Sequence, residues 1–204
     1  MKNSAYRVIV FDLGKVLLPF DSQIVIDNFN KIESGLGDRF DKLYNENYHV
    51  HQLFDNGKVE IDQFINTMLD WLEHKVSAEE FCNIYSKMFT VNQQMIDLLP
   101  KLKENYKLVL LSNTNIIHKQ YGWGEYDFLK YFDKQILSYE VGFSKPESEI
   151  FRAVEKFTNE KSDAHFYTDD ILEYVEAAKL VGWDAVQFKG HDDFISALEI
   201  RSII

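Results

Sequence analysis

Residues 7–16 read RVIVFDLGKV. The first five form a near-continuous apolar, β-branched run, as expected of a strand buried on both faces of a parallel sheet. It stops at an acid, Asp12, followed by Leu13, Gly14, Lys15 and Val16. Four more β-rich runs follow: residues 107–111 (KLVLL), 135–137 (QIL), 165–167 (HFY) and 185–188 (AVQF). Helical patterns lie between the later ones. Residues 91–104 place Met95, Leu98, Leu99 and Leu102 at helical spacing, and residues 174–180 supply a further helix. Residues 146–157 set Pro146 at a first helical position, with Ile150, Phe151 and Val154 on one face. Strands alternating with helices predict an α/β chain with a doubly wound parallel sheet and right-handed crossovers.

Residues 20–90 break the alternation. They read as helices only, around 23–32, 38–47, 62–71 and 77–89, the last opened by the capping box Ser77-Ala78-Glu79-Glu80. A helical block of this length is too long for an ordinary crossover between two strands. The division expected is a core of residues 1–19 and 92–204, with residues 20–91 inserted as a helical lid. No repeat, low-complexity tract or Gly/Ser linker separates them, so the lid is expected to pack close to the core.

The 204 residues suit one medium domain or a domain with a small insertion. The net charge of −11 argues against nucleic acid or an anionic membrane as partner, because no basic surface would neutralise the phosphates. It leaves a small phosphorylated metabolite open, since one pocket can be positive on an acidic protein. The single cysteine, Cys82, excludes an intrachain disulfide and the paired-cysteine zinc patterns, and fits a reducing cytoplasm. No apolar run approaches a membrane span, and MKNSAYRVIVFDLG turns acidic too soon for a secretory signal. The cytoplasm is the compartment expected.

In open α/β sheets ligands sit at the carboxyl ends of the strands. Those ends read Asp12-Leu13-Gly14-Lys15, then Ser112-Asn113-Thr114-Asn115, then Gly142-Phe143-Ser144-Lys145-Pro146, then Thr168-Asp169-Asp170. One end brings a carboxylate, one a hydroxyl, one an ammonium and one a carboxylate pair. An aspartate can attack phosphorus, Mg²⁺ prefers carboxylate and phosphate oxygens, and lysine and hydroxyl donors offset charge on a transferring group. Each residue alone has a plainer explanation as a turn former or helix cap. Four such ends in one chain point to a metal-bound phosphate.

The four segments, in order and spacing, resemble the four motifs of the haloacid dehalogenase (HAD) superfamily, and the helical insertion resembles its C1-type cap. FDLGKVL, LLSNTNIIH, GFSKPESEIF and DDILEYVEAAKLVG are similar to the bacterial α-D-glucose-1-phosphatase subfamily. The resemblance covers nearly the whole chain. It implies a Rossmann-like core and an Mg²⁺-dependent phosphatase working through an aspartyl-phosphate, with a sugar 1-phosphate as candidate substrate. Asp12 matches the nucleophile. The Gly14 carbonyl and the carboxylates of Asp12 and Asp170 match metal ligands. Ser112 and the amide of Asn113 match phosphoryl-oxygen donors, Thr114 lies in the same substrate-binding motif, and Lys145 matches the motif-three lysine. Asp169 is the neighbouring acid that orients Lys145 or supports the metal. Aligning Val175-Glu176-Ala177-Ala178 with the end of motif four selects Asp170 over Asp169 as ligand.

Three positions depart from the superfamily pattern. Gly14 stands where most such phosphatases carry an aspartate that protonates the leaving alcohol. The glucose-1-phosphatase subfamily has the same glycine, and an anomeric hydroxyl leaves with less help than a simple alkoxide. Tyr174 and Ile171 replace the polar residues usual in motif four. Two other readings follow from these facts: a dehalogenase using the same aspartate on carbon without metal, disfavoured by the Asp169-Asp170 pair, and a catalytically weak binding or regulatory protein. Among the remaining residues, His49 and His51 lack a third metal ligand and read as structural or surface groups. His118 falls in the SNTNIIH run. Cys82 reads as a small buried apolar residue, and Trp71, Trp123 and Trp183 as core.

Overall fold

The computed structural model describes residues 5–204. Five strands, β1 (Val8–Phe11), β2 (Lys107–Ser112), β3 (Lys134–Leu137), β4 (His165–Asp169) and β5 (Asp184–Gln187), form one parallel sheet in the order β3-β2-β1-β4-β5. The chain is the Rossmann-like α/β protein that its alternation predicts. β1 lies at the centre, Val8 opposite Lys107 on one side and His165 on the other. β2 and β4 each run past the expected end, so that Ser112 and Asp169 belong to the strands themselves.

The helices are α1 (Gln23–Ile32), α2 (Leu36–Glu46), α3 (Tyr48–Asp55), α4 (Ile61–Trp71), α5 (Ala78–Tyr85), α6 (Gln93–Ile96), α7 (Leu99–Lys103), α8 (Ile116–His118), α9 (Ser138–Val141), α10 (Ser148–Thr158), α11 (Leu172–Leu180) and α12 (His191–Ile200). Side chains alternate along β1, and so do the cores they enter. Ile9 and Phe11 pack with Met95, Leu99 and Leu102 of α6 and α7 and with Phe194 and Leu198 of α12. Val8 and Val10 pack with Ile150, Phe151 and Val154 of α10 and with Val175 and Ala178 of α11. Both faces are covered, which is why β1 has no polar residue.

A third cluster joins Phe29, Phe40, Phe54, Phe64, Phe81 and Tyr85 from the helices between β1 and β2, with Ile117 from the far side of β2. Phe54 and Phe64 stack with centroids 4.0 Å apart. Each such ring contributes about 1.5–3 kcal/mol by leaving water. Ser77 caps α5, its hydroxyl accepting from the Glu80 amide at 3.2 Å. No helix among the described residues is long and apolar enough to cross a membrane.

Three local expectations are corrected. Residues 91–104 form two short helices, because Pro100 has no N–H to donate to the carbonyl four residues back. The helix expected from Pro146 begins at Ser148. Pro146, joined to Lys145 by a cis bond, sits in a turn closed by the Glu147 amide on the Ser144 carbonyl at 2.8 Å. The segment 20–90 carries five helices rather than four. The additional one is α3, which buries only Phe54 and so shows little apolar periodicity.

Candidate active site

The chain leaves β1 through a tight return in which the amides of Leu17 and Leu18 donate to the Leu13 carbonyl at 3.0 and 2.8 Å. The residue that adopts the left-handed conformation here is Lys15, at φ 55°, and not Gly14. The return leaves Asp12 at the strand tip, 6% exposed.

Lys145 reaches it from the turn before α10. Its ammonium is 2.5 Å from Asp12 Oδ1 and 2.7 Å from Asp169 Oδ2, and all three side chains are buried. Asn113 positions the lysine backbone: its Oδ1 accepts from the Lys145 amide at 2.8 Å, and its Nδ2 donates to the Lys145 carbonyl at 3.0 Å. Asp169 is fully engaged, taking Lys145 and the Tyr167 hydroxyl on one oxygen and the Ile171 amide at 2.8 Å on the other. Asp170 is different. Its carboxylate is half-buried and its nearest cation is Lys15, 4.0 Å away.

Three carboxylates thus converge with one buried ammonium among them. One oxygen each from Asp12, Asp169 and Asp170 lies within 4.8 Å of the others, a grouping able to hold a metal ion. Burial pushes the Asp12 carboxyl up to about 7, Lys145 pulls it back, and the neighbouring Asp169 charge adds to the rise. Burial works against the Lys145 charge, but Asp12 and Asp169 outweigh it and hold the ammonium above its ordinary range. Burial and the adjacent Asp169 raise Asp170. The site is short of positive charge.

The other strand ends fall in line. Ser112 is buried at the tip of β2, its hydroxyl 3.4 Å from the Asn113 carbonyl. The Thr114 amide donates to Ser138 Oγ at 2.9 Å, and that hydroxyl donates back to the Thr114 carbonyl at 3.0 Å. Tyr174 places its ring 5.1 Å from the Lys145 ammonium and its hydroxyl 3.5 Å from Asn113 Nδ2, forming one wall of the lysine site. Asp12, Gly14, Ser112, Asn113, Thr114, Lys145, Asp169 and Asp170 all line one cavity of about 720 Å³.

Its opposite wall comes from the helices between β1 and β2 and holds residues that the sequence did not place at the site. His51 Nε2 is 3.1 Å from Asp55 Oδ2, both side chains on α3 and mostly covered. Asp55 Oδ1 accepts from Asn115 Nδ2 at 2.8 Å, tying α3 to the end of β2. His51 Nδ1 is 3.0 Å from the Tyr85 hydroxyl, itself 3.2 Å from that of Tyr44. The signal was present as a histidine and an aspartate one helical turn apart, a spacing that brings side chains together. Pairing His51 with His49 instead hid it.

His118 lines the same cavity, stacked on Tyr85 at 4.3 Å; burial pushes its imidazole down to about 3, so it is neutral. Cys82 is buried and its thiol is pushed up to about 11. Trp183 is core, and Trp123 is fully buried but also reaches the cavity.

The D-ribitol-5-phosphate phosphatase of Bacteroides thetaiotaomicron is 27% identical over 202 residues, 94% of this chain and 96% of the relative. A crystal structure of a HAD family enzyme from Bacteroides thetaiotaomicron, also 27% identical, superposes with a TM-score of 0.82 over 95% of this chain and 98% of that one. The same enzyme in complex with magnesium and inorganic phosphate superposes with a TM-score of 0.75 over 90% and 94%. The model of the haloacid dehalogenase-like hydrolases matches residues 6–182, and the chain belongs to that family.

Proposed function

We propose that this chain is an Mg²⁺-dependent phosphate-monoester hydrolase in which Asp12 accepts the phosphoryl group from a small phosphorylated metabolite. The observation that carries the reading is the Asp12–Lys145–Asp169 array beside Asp170, whose nearest cation, Lys15, stands 4.0 Å away. The relatives that bind magnesium and phosphate, or are named as a polyol-phosphate phosphatase, support it.

The donors fit a hard divalent cation: an all-oxygen set, with one carboxylate lacking a close partner and two raised above their ordinary range by burial and by the neighbouring Asp169 charge. Asp12, Asp170 and the Gly14 carbonyl are the groups assigned to hold it. When bound, Mg²⁺ supplies charge neutralisation for the phosphoryl oxygens and keeps Asp12 ionised.

One Asp12 oxygen attacks phosphorus, the P–O bond to the leaving alcohol breaks, and an aspartyl-phosphate forms. Lys145 holds the ammonium against Asp12 and meets the charge on the transferring group, while Asp169, fixed by Tyr167 and the Ile171 amide, keeps the lysine in place. Ser112 and the Asn113 amide take phosphoryl oxygens, with Thr114 on the same wall. Water then attacks phosphorus, releasing phosphate and regenerating Asp12. The helical segment 20–91 acts as the cap that excludes bulk water and meets the leaving group. The free buried thiol of Cys82 suits a reducing cytoplasm as the compartment.

The test is turnover of p-nitrophenyl phosphate with millimolar Mg²⁺. Activity should vanish with EDTA and return with Mg²⁺. Full activity under EDTA would overturn the metal-dependent mechanism.

A further inference from the structure

The cap side of the cavity has a charge pattern that the phosphoryl chemistry does not use. Its charged or titratable lining residues are Asp41, Tyr44, Tyr48, His51 and Asp55; among the described residues it presents no lysine or arginine. The lysines that line the cavity, Lys15 and Lys145, both stand on the core, at the phosphoryl end.

Asp55 is placed to be read by a ligand. A carboxylate offers about four acceptor positions. Here Asn115 occupies one and His51 another, each on a different oxygen, and the side chain remains 14% exposed where it faces the cavity. Burial alone would push the Asp55 carboxyl up, but His51 and the Asn115 amide outweigh it and hold it below its ordinary range. A rigid, ionised carboxylate with free lone pairs accepts hydrogen bonds from vicinal hydroxyls. It repels a second anion. The rings of Tyr44 and Tyr48 beside it suit the C–H faces of a polyhydroxylated chain and add hydroxyls of their own.

We infer that Asp55 is a specificity-determining residue that selects an uncharged, polyhydroxylated leaving group and rejects one bearing a second negative charge. This rests on the phosphatase reading above. A leaving group carrying a carboxylate or second phosphate would meet Asp41 and Asp55, with His51 already engaged by Asp55 and no lysine or arginine on that wall. A pentitol or hexose would meet acceptors and aromatic faces.

The experiment compares substrate pairs that differ by one anion, such as glucose 6-phosphate against 6-phosphogluconate and ribitol 5-phosphate against 5-phosphoribonate. In the wild-type chain kcat/KM should favour the neutral member by about tenfold or more, a modest share of the cost of juxtaposing like charges. Asp55→Asn, which keeps the shape and removes the charge, should shrink that preference at least tenfold. Equal or faster turnover of the anionic members by the wild type overturns the inference. So does an unchanged preference in a folded Asp55→Asn protein. If the variant does not fold, the wild-type pairs still decide. Absence of p-nitrophenyl phosphate turnover would remove the phosphatase reading itself, and this inference with it.

Discussion

The ring of Phe20 stands against the place where a side chain on residue 14 would go: a β-carbon built on Gly14 lies 3.3 Å from Phe20 Cε1 and 3.9 Å from Asp12 Oδ2. Gly14 does not have a positive φ, so backbone strain is not what demands glycine there. The demand is steric and electrostatic. An aspartate at 14 needs the Phe20 ring to give by a few tenths of an ångström and places a second carboxylate beside Asp12.

The first prediction concerns the proton that the leaving group needs. With no acid at position 14, log kcat/KM should fall steeply as the leaving-group pKa rises, aryl and sugar 1-phosphates outrunning alkyl phosphates. Gly14→Asp alone should lower turnover on every substrate, whereas Gly14→Asp with Phe20→Ala should raise activity on alkyl phosphates towards the ~10²-fold typical of general acid catalysis. A flat dependence in the wild type would show that another residue donates the proton.

Asp12→Asn should abolish turnover, because an amide cannot become an acyl phosphate. It should not cost stability at pH 8. The folded carboxyl is raised to about 7, so ionising Asp12 disfavours the fold increasingly from the unfolded carboxylate range up to about pH 7, and fully above it. The variant, free of that charge, should melt at the wild-type temperature or higher at pH 8, with the difference shrinking towards pH 4. Thermal melts at the two pH values check both parts.

Lys145→Met should remove activity and, unlike the change at Asp12, destabilise the fold. It leaves Asp12 and Asp169 buried side by side without their cation, a loss of about 3–5 kcal/mol by analogy with broken buried pairs. The deficit should be greatest at neutral pH and lessen on acidification, as Asp12 takes up a proton. Urea titrations at pH 5 and pH 8 distinguish this from a simple packing defect, whose cost would be the same at both.

The fourth prediction is a linkage between protons and metal. With Asp12 as a proposed ligand, Mg²⁺ would require it ionised, and burial raises that carboxyl to about 7. The Mg²⁺ concentration for half-maximal activity should therefore rise as pH falls below about 7 and level off above it. A midpoint independent of pH between 5.5 and 8 would show that Asp12 does not compete for a proton there.

Much of this protein is determined by its sequence alone. A central strand that is apolar on both faces has to be covered on both, so VIVF with four later β-rich runs dictates a parallel α/β sheet. Because such a sheet gathers its strand ends at one edge, the placement of Asp12, Ser112, Lys145 and Asp170 around a single cavity also follows from their positions in the chain. Tertiary structure decided the rest. It gave Asp169 to Lys145, Tyr167 and the Ile171 amide and left Asp170 without a close partner, a difference between adjacent acids that follows from the alternation of side chains along a strand. It folded α3 although that helix buries only Phe54, and so carried His51 and Asp55 into the cavity wall opposite Asp12. Local periodicity reports which face of an element leaves water. Which polar groups then meet, as Asp55 meets Asn115 across sixty residues, depends on how separate elements pack, and no short stretch of sequence encodes that.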